Sequence, residues 1–248
     1  MEKFNLYEAK SQDLKFLGRG AGFLPSEGNT SAYIKEEGNL YLFDCGELVF
    51  SKIIEKGILK DIDSVYIFIT HLHTDHIGSL GTLLNYLYYT MNIVANVYYM
   101  DNKLLSILKK TGLELDKEFS YICLSDVTVP YEYIKVTDEF SIMYNKTKHA
   151  NLIATSFTFH YHGVVRFYSG DTALTSFDWI NFLLMNEDAK ALYIDTGLIG
   201  NEYAHVSVHT LAKNISPEFR DRVWCMHIDS LDVIPIAKEY GFNVVEVD

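Results

Sequence analysis

Four side chains that often bind metal ions lie within six consecutive positions of this sequence: His71, His73, Asp75 and His76. Imidazole and carboxylate groups together suit zinc, and they also accept manganese or iron. The alternative interpretation is a polar loop that happens to be rich in histidine, which seldom gives four such donors at this spacing. The motif therefore predicts a metal site. Metal ions in such sites favour hydrolysis because they make a bound water molecule more acidic.

The motif directly follows an apolar segment that predicts a buried β-strand. Residues 65–69 are Val-Tyr-Ile-Phe-Ile, a run of β-branched and aromatic side chains. Proteins with alternating strands and helices commonly place their sites at the carboxyl ends of strands, and the motif lies at such an end. His71 and His73 face the same way in an extended chain. Asp75 and His76 lie where the next helix begins, so the two pairs of donors can converge on two nearby points.

Predicted strands and helices alternate along the rest of the chain. Strands are predicted at 14–17, 31–35, 40–44, 94–100, 152–159, 164–169, 191–195 and 223–226, and helices at 48–56, 77–90, 102–110 and 176–186, before a final helix and strand. By periodicity alone, this order predicts a mixed α/β fold. No linker or low-complexity segment divides the 248 residues, so we expect a single domain covering residues 1–248.

Further segments, in the same order along the chain, resemble the metallo-β-lactamase superfamily. They are a glycine-rich turn at 16–20, Asp44-Cys45-Gly46-Glu47, and Ser169-Gly170-Asp171-Thr172. The likeness is to the ribonuclease-Z-like phosphodiesterase branch, and it implies a four-layered αββα sandwich. It also implies two zinc ions, with manganese as the alternative. The implied ligands are His71, His73 and His149 for one ion, Asp75, His76 and His227 for the other, and Asp171 between the two.

The same resemblance implies a catalytic histidine that is not a metal ligand. Ala204-His205-Val206-Ser207 is similar to the ribonuclease Z segment whose histidine approaches the scissile phosphate. Asp195 lies where that branch has a glutamate paired with this histidine, and we expect the shorter side chain to pair less directly or through water. A carboxylate would keep His205 oriented and protonated as a general acid. The alternative is a surface or helix-capping histidine. Asp75 is expected to orient the attacking hydroxide as well as to bind metal.

Charge and composition bear on the substrate. The chain has 33 acidic and 21 basic residues, a formal charge of −12, whereas proteins that grip nucleic acid usually present a basic surface. The segment 124–150 offers no glycine- and proline-rich arm of the kind that captures tRNA in ribonuclease Z. In addition, the residues that follow Glu47 and His227 depart from the ribonuclease Z pattern. These features favour a small anion over tRNA.

A compact, acidic member of this branch without the arm most resembles the anti-Pycsar phosphodiesterases of phages and bacteria. The resemblance implies hydrolysis of 3′,5′-cyclic CMP and UMP, with cyclic AMP and GMP as further candidates, to counter antiviral cyclic-nucleotide signalling. One alternative is a ribonuclease Z-like RNA endonuclease or a 2′,3′-cyclic phosphodiesterase. Another is a hydrolase of lactones, thioesters or β-lactams, which share the metal motif.

Partners and location are predicted from simple features. Three scattered cysteines, Cys45, Cys123 and Cys225, suit reduced thiols in a cytoplasm. No apolar stretch approaches the roughly 20 residues that cross a bilayer. We therefore expect a cytoplasmic protein, in the host cytoplasm if phage-encoded, with no membrane partner and no stable nucleic-acid partner. The resemblance also implies a homodimer.

A set of tyrosines and a second histidine pair are further candidate functional features. Seven tyrosines could form a base-stacking platform or a dimer interface, although core packing is the favoured interpretation for any one of them: Tyr86, Tyr88, Tyr89, Tyr98, Tyr99, Tyr131 and Tyr133. His160 and His162 alternate but lack nearby carboxylates, so we favour a solvated hairpin there. His209 is expected at a surface or an interface.

Overall fold

Two β-sheets pack face to face at the centre of this computed structural model, which describes residues 14–127, 132–173, 177–201 and 203–247. Within these residues the first sheet has six strands, in spatial order β1 (Lys15–Gly18), β2 (Ser31–Glu36), β3 (Asn39–Phe43), β4 (Ser64–Phe68), β5 (Ala95–Tyr99) and β6 (Phe119–Cys123). Neighbours from β1 to β3 are antiparallel, and those from β3 to β6 are parallel.

The second sheet has seven strands among the described residues, in reverse spatial order. They are β7 (Ile134–Lys135), β8 (Phe140–His149), β9 (Leu152–Tyr161), β10 (Val164–Tyr168), β11 (Ala191–Asp195), β12 (Val223–Met226) and β13 (Asn243–Val244). Neighbours from β7 to β10 are antiparallel, and those from β10 to β13 are parallel. As a result, β8, β10, β11 and β12 all point their carboxyl ends to one edge.

Helices cover the outer face of each sheet. The described helices are α1 (Val49–Glu55), α2 (Thr74–Ile77), α3 (Leu80–Met91), α4 (Lys103–Lys110), α5 (Leu124–Val127), α6 (Asp178–Met185), α7 (Val208–Asn214) and α8 (Val233–Glu239), with 3-10 turns at Pro25–Glu27 and Pro217–Arg222. Apolar residues of α1, α3 and α4 pack on the first sheet, and those of α6, α7 and α8 pack on the second. No helix in the described part of the chain is long and apolar enough to cross a membrane.

Alternation along the strands divides the core into layers. In β3, Leu40 and Leu42 join the cluster under the helices, while Tyr41 and Phe43 join the cluster between the sheets. The ring of Phe43 lies 5.1 Å from that of Phe159 in the other sheet. This order of layers is the predicted αββα sandwich. The single domain over residues 1–248 stays a prediction, since residues 1–13 and 248 lie outside the described part.

Most of the helix predicted at 77–90 is α3, which begins later than predicted, at Leu80, while Ile77 is the last residue of the separate short helix α2. The break falls at Ser79, whose backbone N donates to Cys45 O (3.1 Å) instead of continuing α2. Close packing reinforces the break, because a Cβ on Gly78 would lie 2.6 Å from Glu47 Cγ. Helix α2 begins at Thr74, so the metal-binding motif continues into its first turn.

Several elements were not predicted from the sequence, and two of them position the site. Strand β8 has a mostly polar sequence and is formed by pairing with β9 along ten residue pairs, ending at His149. Helix α7 is short and is preceded by its N-cap Ser207, whose side chain accepts a hydrogen bond from Thr210 N (3.1 Å). The other elements that were not predicted are β6, β7 and α5. Of the helix predicted at 176–186, residue 176 lies outside the described residues.

Candidate metal centre

All seven predicted metal ligands come together at the carboxyl ends of strands. The motif that begins at His71 follows β4, His149 ends β8, Asp171 follows β10 and His227 follows β12. The first sheet thus supplies four ligands and the second sheet three. Because both sheets present these ends to the same edge of the sandwich, loops that are far apart in sequence meet in one buried cluster.

The first donor group contains three histidines and one oxygen of Asp171. Nδ1 of His73 lies 2.9 Å from Nε2 of His71 and 3.1 Å from Nε2 of His149. Oδ2 of Asp171 lies 3.6 Å from Nε2 of both His71 and His149. Four donor atoms therefore surround one point, which is the number that zinc prefers.

The second donor group uses the other oxygen of the same aspartate. Oδ1 of Asp171 lies 3.1 Å from Nε2 of His76 and 3.3 Å from Nε2 of His227. Oδ2 of Asp75 lies 3.4 Å from each of these two nitrogens. Asp171 thus directs one carboxylate oxygen to each group, as a bridging ligand between two ions must.

The donor atoms fit bound cations better than they fit one another. Nε2 of His76 and Oδ1 of Asp171 are buried and make no hydrogen bond, although buried polar atoms nearly always have a partner. In each donor group the ligand atoms lie within 4.8 Å of one another. Two divalent ions would satisfy these orphaned atoms, so the residues present fit the group that the motif predicts.

Hydrogen bonds at the far nitrogens orient most of the ligand histidines. Nδ1 of His76 donates to Asp44 Oδ2 (2.9 Å), Nδ1 of His149 donates to Ala204 O (3.0 Å), and Nδ1 of His227 donates to Asp195 Oδ1 (3.3 Å). These bonds place the proton on Nδ1 and leave the lone pair of Nε2 directed into the site. Such outer contacts fix the tautomer and raise the basicity of metal ligands.

Asp44 was not predicted as a site residue, although its segment was recognised. It is fully buried and lies in the left-handed backbone region (φ 60°) directly after β3. Besides His76, it accepts hydrogen bonds from the backbone N and the hydroxyl of Thr70. A lone aspartate at the end of an apolar strand was the available signal, but its partner lies 32 positions along the chain.

Asp195 and His205 form a direct pair, which differs from the expected indirect contact. Nδ1 of His205 donates to Asp195 Oδ2 at 2.8 Å. The contact is close because Gly197 N donates to Val206 O (2.9 Å) and so holds the His205 segment beside the end of β11. Burial lowers the pKa of His205, but the adjoining Asp195 carboxylate outweighs it, so the pKa is raised above its usual value.

Asp195, His205 and His227 form a third cluster of potential ligands, and their contacts assign it a different role. Asp195 accepts a hydrogen bond from each histidine on a separate oxygen. His227 meanwhile directs Nε2 towards Asp75 and Asp171. The cluster is therefore a hydrogen-bonded chain that connects a ligand histidine to His205.

A cleft of about 550 Å³ opens above the donor groups. Five of the seven predicted metal ligands line it, namely His73, Asp75, His149, Asp171 and His227, and so does the predicted catalytic residue His205. The remaining walls come from the turn at 21–23 and from Glu47, Leu72, Thr74, Ala150 and Ala204. The volume suits a small molecule.

The other candidate residues lie away from this cleft. Burial raises the pKa of the Cys45 and Cys225 thiols to about 12, so neither is a thiolate ligand. His162 lies in a hairpin turn and contacts Glu36 (2.7 Å). His209 contacts the hydroxyl of Tyr240 (2.9 Å). None of the six described tyrosines of the predicted cluster lines the cleft, and Tyr131 lies outside the described residues.

Comparison with known families agrees with this architecture. The family described as "Anti-Pycsar protein Apyc1" matches residues 12–243. The chain belongs to this family. The predicted assignment to the anti-Pycsar group of the metallo-β-lactamase superfamily is therefore confirmed.

Similar proteins include ribonuclease Z from Bacillus thuringiensis (strain Al Hakam), which is 33% identical over 144 residues. The match covers 54% of this chain and 42% of that protein, so the chain spans less than half the length of the curated relatives it matches. Human zinc phosphodiesterase ELAC protein 1 is 43% identical over 75 residues, which are 30% of this chain and 20% of that protein.

Two solved structures share the fold at low identity. The metallo-β-lactamase fold protein YhfI from Bacillus subtilis has a TM-score of 0.70 at 17% identity, covering 93% of this chain and 94% of that chain. The short form of human tRNase Z has a TM-score of 0.68 at 18% identity, covering 96% and 97%. At these identities the likeness establishes the fold, and the predicted metallo-β-lactamase fold is confirmed.

Proposed function

We propose that this chain is a two-metal phosphodiesterase that hydrolyses 3′,5′-cyclic nucleotides to nucleoside monophosphates. Cyclic CMP and cyclic UMP are the first candidate substrates, and cyclic AMP and cyclic GMP are further candidates. The observation that carries the proposal is the shared cleft: Asp171 serves two donor groups at its base, and His205, paired with Asp195, lines the same cleft. Membership of the Apyc1 family supports this substrate class and a role against cyclic-nucleotide antiviral signalling.

The two donor groups are proposed to hold two zinc ions, with manganese as the alternative. The ligands are His71, His73 and His149 for one ion, Asp75, His76 and His227 for the other, and Asp171 for both. When bound, such ions make a water molecule more acidic and neutralise phosphate charge. The donor chemistry supports this occupancy because two buried atoms of the groups have no hydrogen-bond partner.

Residues of the chain itself supply orientation and a proton. Asp75 lines the cleft beside the second donor group, where its carboxylate can orient the attacking water. Nδ1 of His205 is held by Asp195, so Nε2 is the ring nitrogen available to the substrate. His205 would give its Nε2 proton to the leaving ribose oxygen as the P–O bond breaks. The raised pKa of His205 keeps more of the protonated form available.

Size and charge support a cyclic nucleotide over a long RNA. A cleft of about 550 Å³ can enclose a mononucleotide. The formal charge of −12 disfavours a polyanion, whose binding depends on many phosphate contacts. Within segment 124–150, residues 124–127 and 132–150 are described; the first form the short helix α5 and the second contain β7 and β8 of the second sheet, without a projecting arm.

A ribonuclease Z-like activity is the second candidate, because ribonuclease Z is among the proteins most similar in sequence. The alternative of lactone, thioester or β-lactam hydrolysis draws support only from the shared metal motif. Against it stands the pairing of His205 with Asp195 at 2.8 Å, since such a pair is typical of the phosphodiesterase branch that the chain resembles.

The test is a comparison of three substrate classes on the zinc-loaded protein: 3′,5′-cyclic nucleotides (cyclic CMP, UMP, AMP and GMP), a tRNA precursor and nitrocefin. We expect conversion of cyclic CMP to CMP, with the other two classes left largely unchanged. Because few phosphate contacts are involved, the KM should rise only gently with salt. Efficient processing of the tRNA precursor with all four cyclic nucleotides untouched would refute the proposal in favour of the ribonuclease.

We further propose a homodimer, as the family resemblance implies. Light scattering on the purified protein tests it directly, since a monomer has a mass of 28.4 kDa. A single species at that mass across micromolar concentrations would contradict it.

A further inference from the structure

A phenylalanine stands fully exposed on the wall of the metal cleft. Phe23 lines the cleft together with His205 and Asp75, yet its side chain makes no protective contact with the rest of the protein. By contrast, the phenylalanines of the strands, such as Phe43 and Phe68, are completely buried. Phe23 therefore presents a large apolar surface to any molecule that enters the cleft.

The turn that carries Phe23 is firmly attached to the protein. Leu24 N donates to Ala21 O (2.8 Å), which closes a turn with Gly22 and Phe23 at its corner. Ala21 N donates to Ile228 O, and Ile228 N donates to Arg19 O, both at 2.9 Å. These two bonds tie the turn to the residue that follows His227. The exposed ring therefore projects from a fixed support.

Close packing brings this turn to the reacting centre. A Cβ on Gly22 would lie 2.9 Å from Oδ2 of Asp75, so only glycine lets the turn come so near this proposed ligand. Phe23 is the next residue, and it has an ordinary negative φ. Its ring therefore lies on the wall of the cleft next to the second donor group.

The chemistry of the ring limits what it can bind. Among the described residues that line the cleft, Phe23 is the one aromatic side chain besides the histidines. Phenylalanine has no hydrogen-bonding group, so it offers a flat apolar face. Such a face stacks on purines and pyrimidines alike, and it does not read their edges.

We propose that Phe23 is the stacking surface for the nucleobase of the substrate. This inference rests on the proposed cyclic-nucleotide activity and deepens it, because one sequence-tolerant contact accounts for binding of several bases. The base lies away from the bond that breaks, so the contact acts equally in the bound substrate and in the transition state. Loss of the ring should therefore raise KM and leave kcat unchanged.

The test compares Phe23→Ala with Phe23→Trp and with Met185→Ala. Met185 is an exposed apolar residue of α6 that does not line the cleft, so its variant controls for loss of surface apolarity. The substrates are cyclic CMP and the methyl riboside 3′,5′-cyclic phosphate, which has no base. We expect Phe23→Ala to raise the KM for cyclic CMP about 10- to 100-fold, the scale of one base–aromatic stack. Phe23→Trp and Met185→Ala should keep the wild-type KM.

The baseless substrate separates stacking from damage to the turn. With it, Phe23→Ala should match the wild type. An equal loss on both substrates, an unchanged KM for cyclic CMP, or a change of subunit assembly in light scattering would each overturn the stacking role. If the wild type hydrolyses cyclic CMP and Phe23→Ala is unaffected, only this inference fails. If the wild type hydrolyses no cyclic nucleotide, the proposed function fails and this inference with it.

Discussion

Substitution of Asp195 by asparagine should disturb the proposed acid and one metal ligand together. Oδ2 of Asp195 accepts hydrogen bonds from His205 Nδ1 (2.8 Å) and from the backbone N of Thr172 (2.9 Å), and Oδ1 accepts from His227 Nδ1 (3.3 Å). Asparagine has nearly the same shape but only one acceptor oxygen. Because the buried N–H of Thr172 requires an acceptor, the amide oxygen should take the Oδ2 position. The NH₂ group then faces His227.

Two separate losses follow from this arrangement. The charged hydrogen bond to His205 becomes a neutral one, a difference of about 1–1.5 kcal/mol, or about 5- to 10-fold in kcat. In the variant, the NH₂ group replaces Oδ1 and meets the Nδ1–H of His227, so two hydrogen-bond donors face each other. Changes to such outer partners cost about 10- to 100-fold in metal affinity. One of the two ions should therefore bind more weakly in Asp195→Asn, while the other is retained.

The assay is a zinc titration followed by steady-state turnover of cyclic CMP at saturating zinc. Elemental analysis after equilibrium dialysis reports how many ions each variant holds at each zinc concentration. His205→Ala is the matched control, because it removes the acid and leaves His227 paired with Asp195. If Asp195→Asn bound both ions with wild-type affinity and kept the wild-type kcat, Asp195 would hold neither histidine in function, and this reasoning would be refuted.

Further substitutions test the remaining assignments. Asp171→Ala should be the most damaging change of a ligand, because both donor groups lose an oxygen; near-normal turnover would contradict the bridging role. His205→Ala should retain both ions by elemental analysis and lose about 10²–10⁴-fold in kcat; loss of an ion would make it a ligand. Gly46→Ala should lower the melting temperature, since its Cβ would lie 2.0 Å from Asp75 O. Gly81→Ala, which has room in α3, should raise stability by roughly 0.5–1 kcal/mol, and equal melting temperatures of the two variants would refute the packing argument.

The sequence was most informative where the site is local. Within the motif, His71 to His76 lie in six positions, so their convergence follows from one strand end and one helix start. His149 and His227 are isolated histidines, and only their order in a recognised family marked them as candidates. The tertiary structure then brings them within reach of Asp171, which no local pattern could show. Their roles as ligands stay proposals until metal is measured.

Other features depended on contacts that sequence does not encode locally. The support of His76 by Asp44 joins two segments through the pairing of β3 with β4. The exposure of Phe23 depends on where its turn is attached, whereas phenylalanine in a sequence is usually assigned to the core. The number of tyrosines suggested a base-stacking platform or a dimer interface, but Tyr98 and Tyr99 are buried in β5.

Gly170 allows the two sheets, each of which carries part of the site, to approach each other closely. A Cβ on Gly170 would lie 2.7 Å from Cβ of Thr70, and its φ of +57° is a conformation that favours glycine. Thr155 N also donates to Thr70 O (3.0 Å), so the segment before His71 lies directly against the second sheet. Asp171, the next residue after Gly170, is thereby placed between the two donor groups. The glycine before the bridging aspartate therefore sets the distance between the sheets at the site, and any side chain there would move Asp171 away from one group or the other.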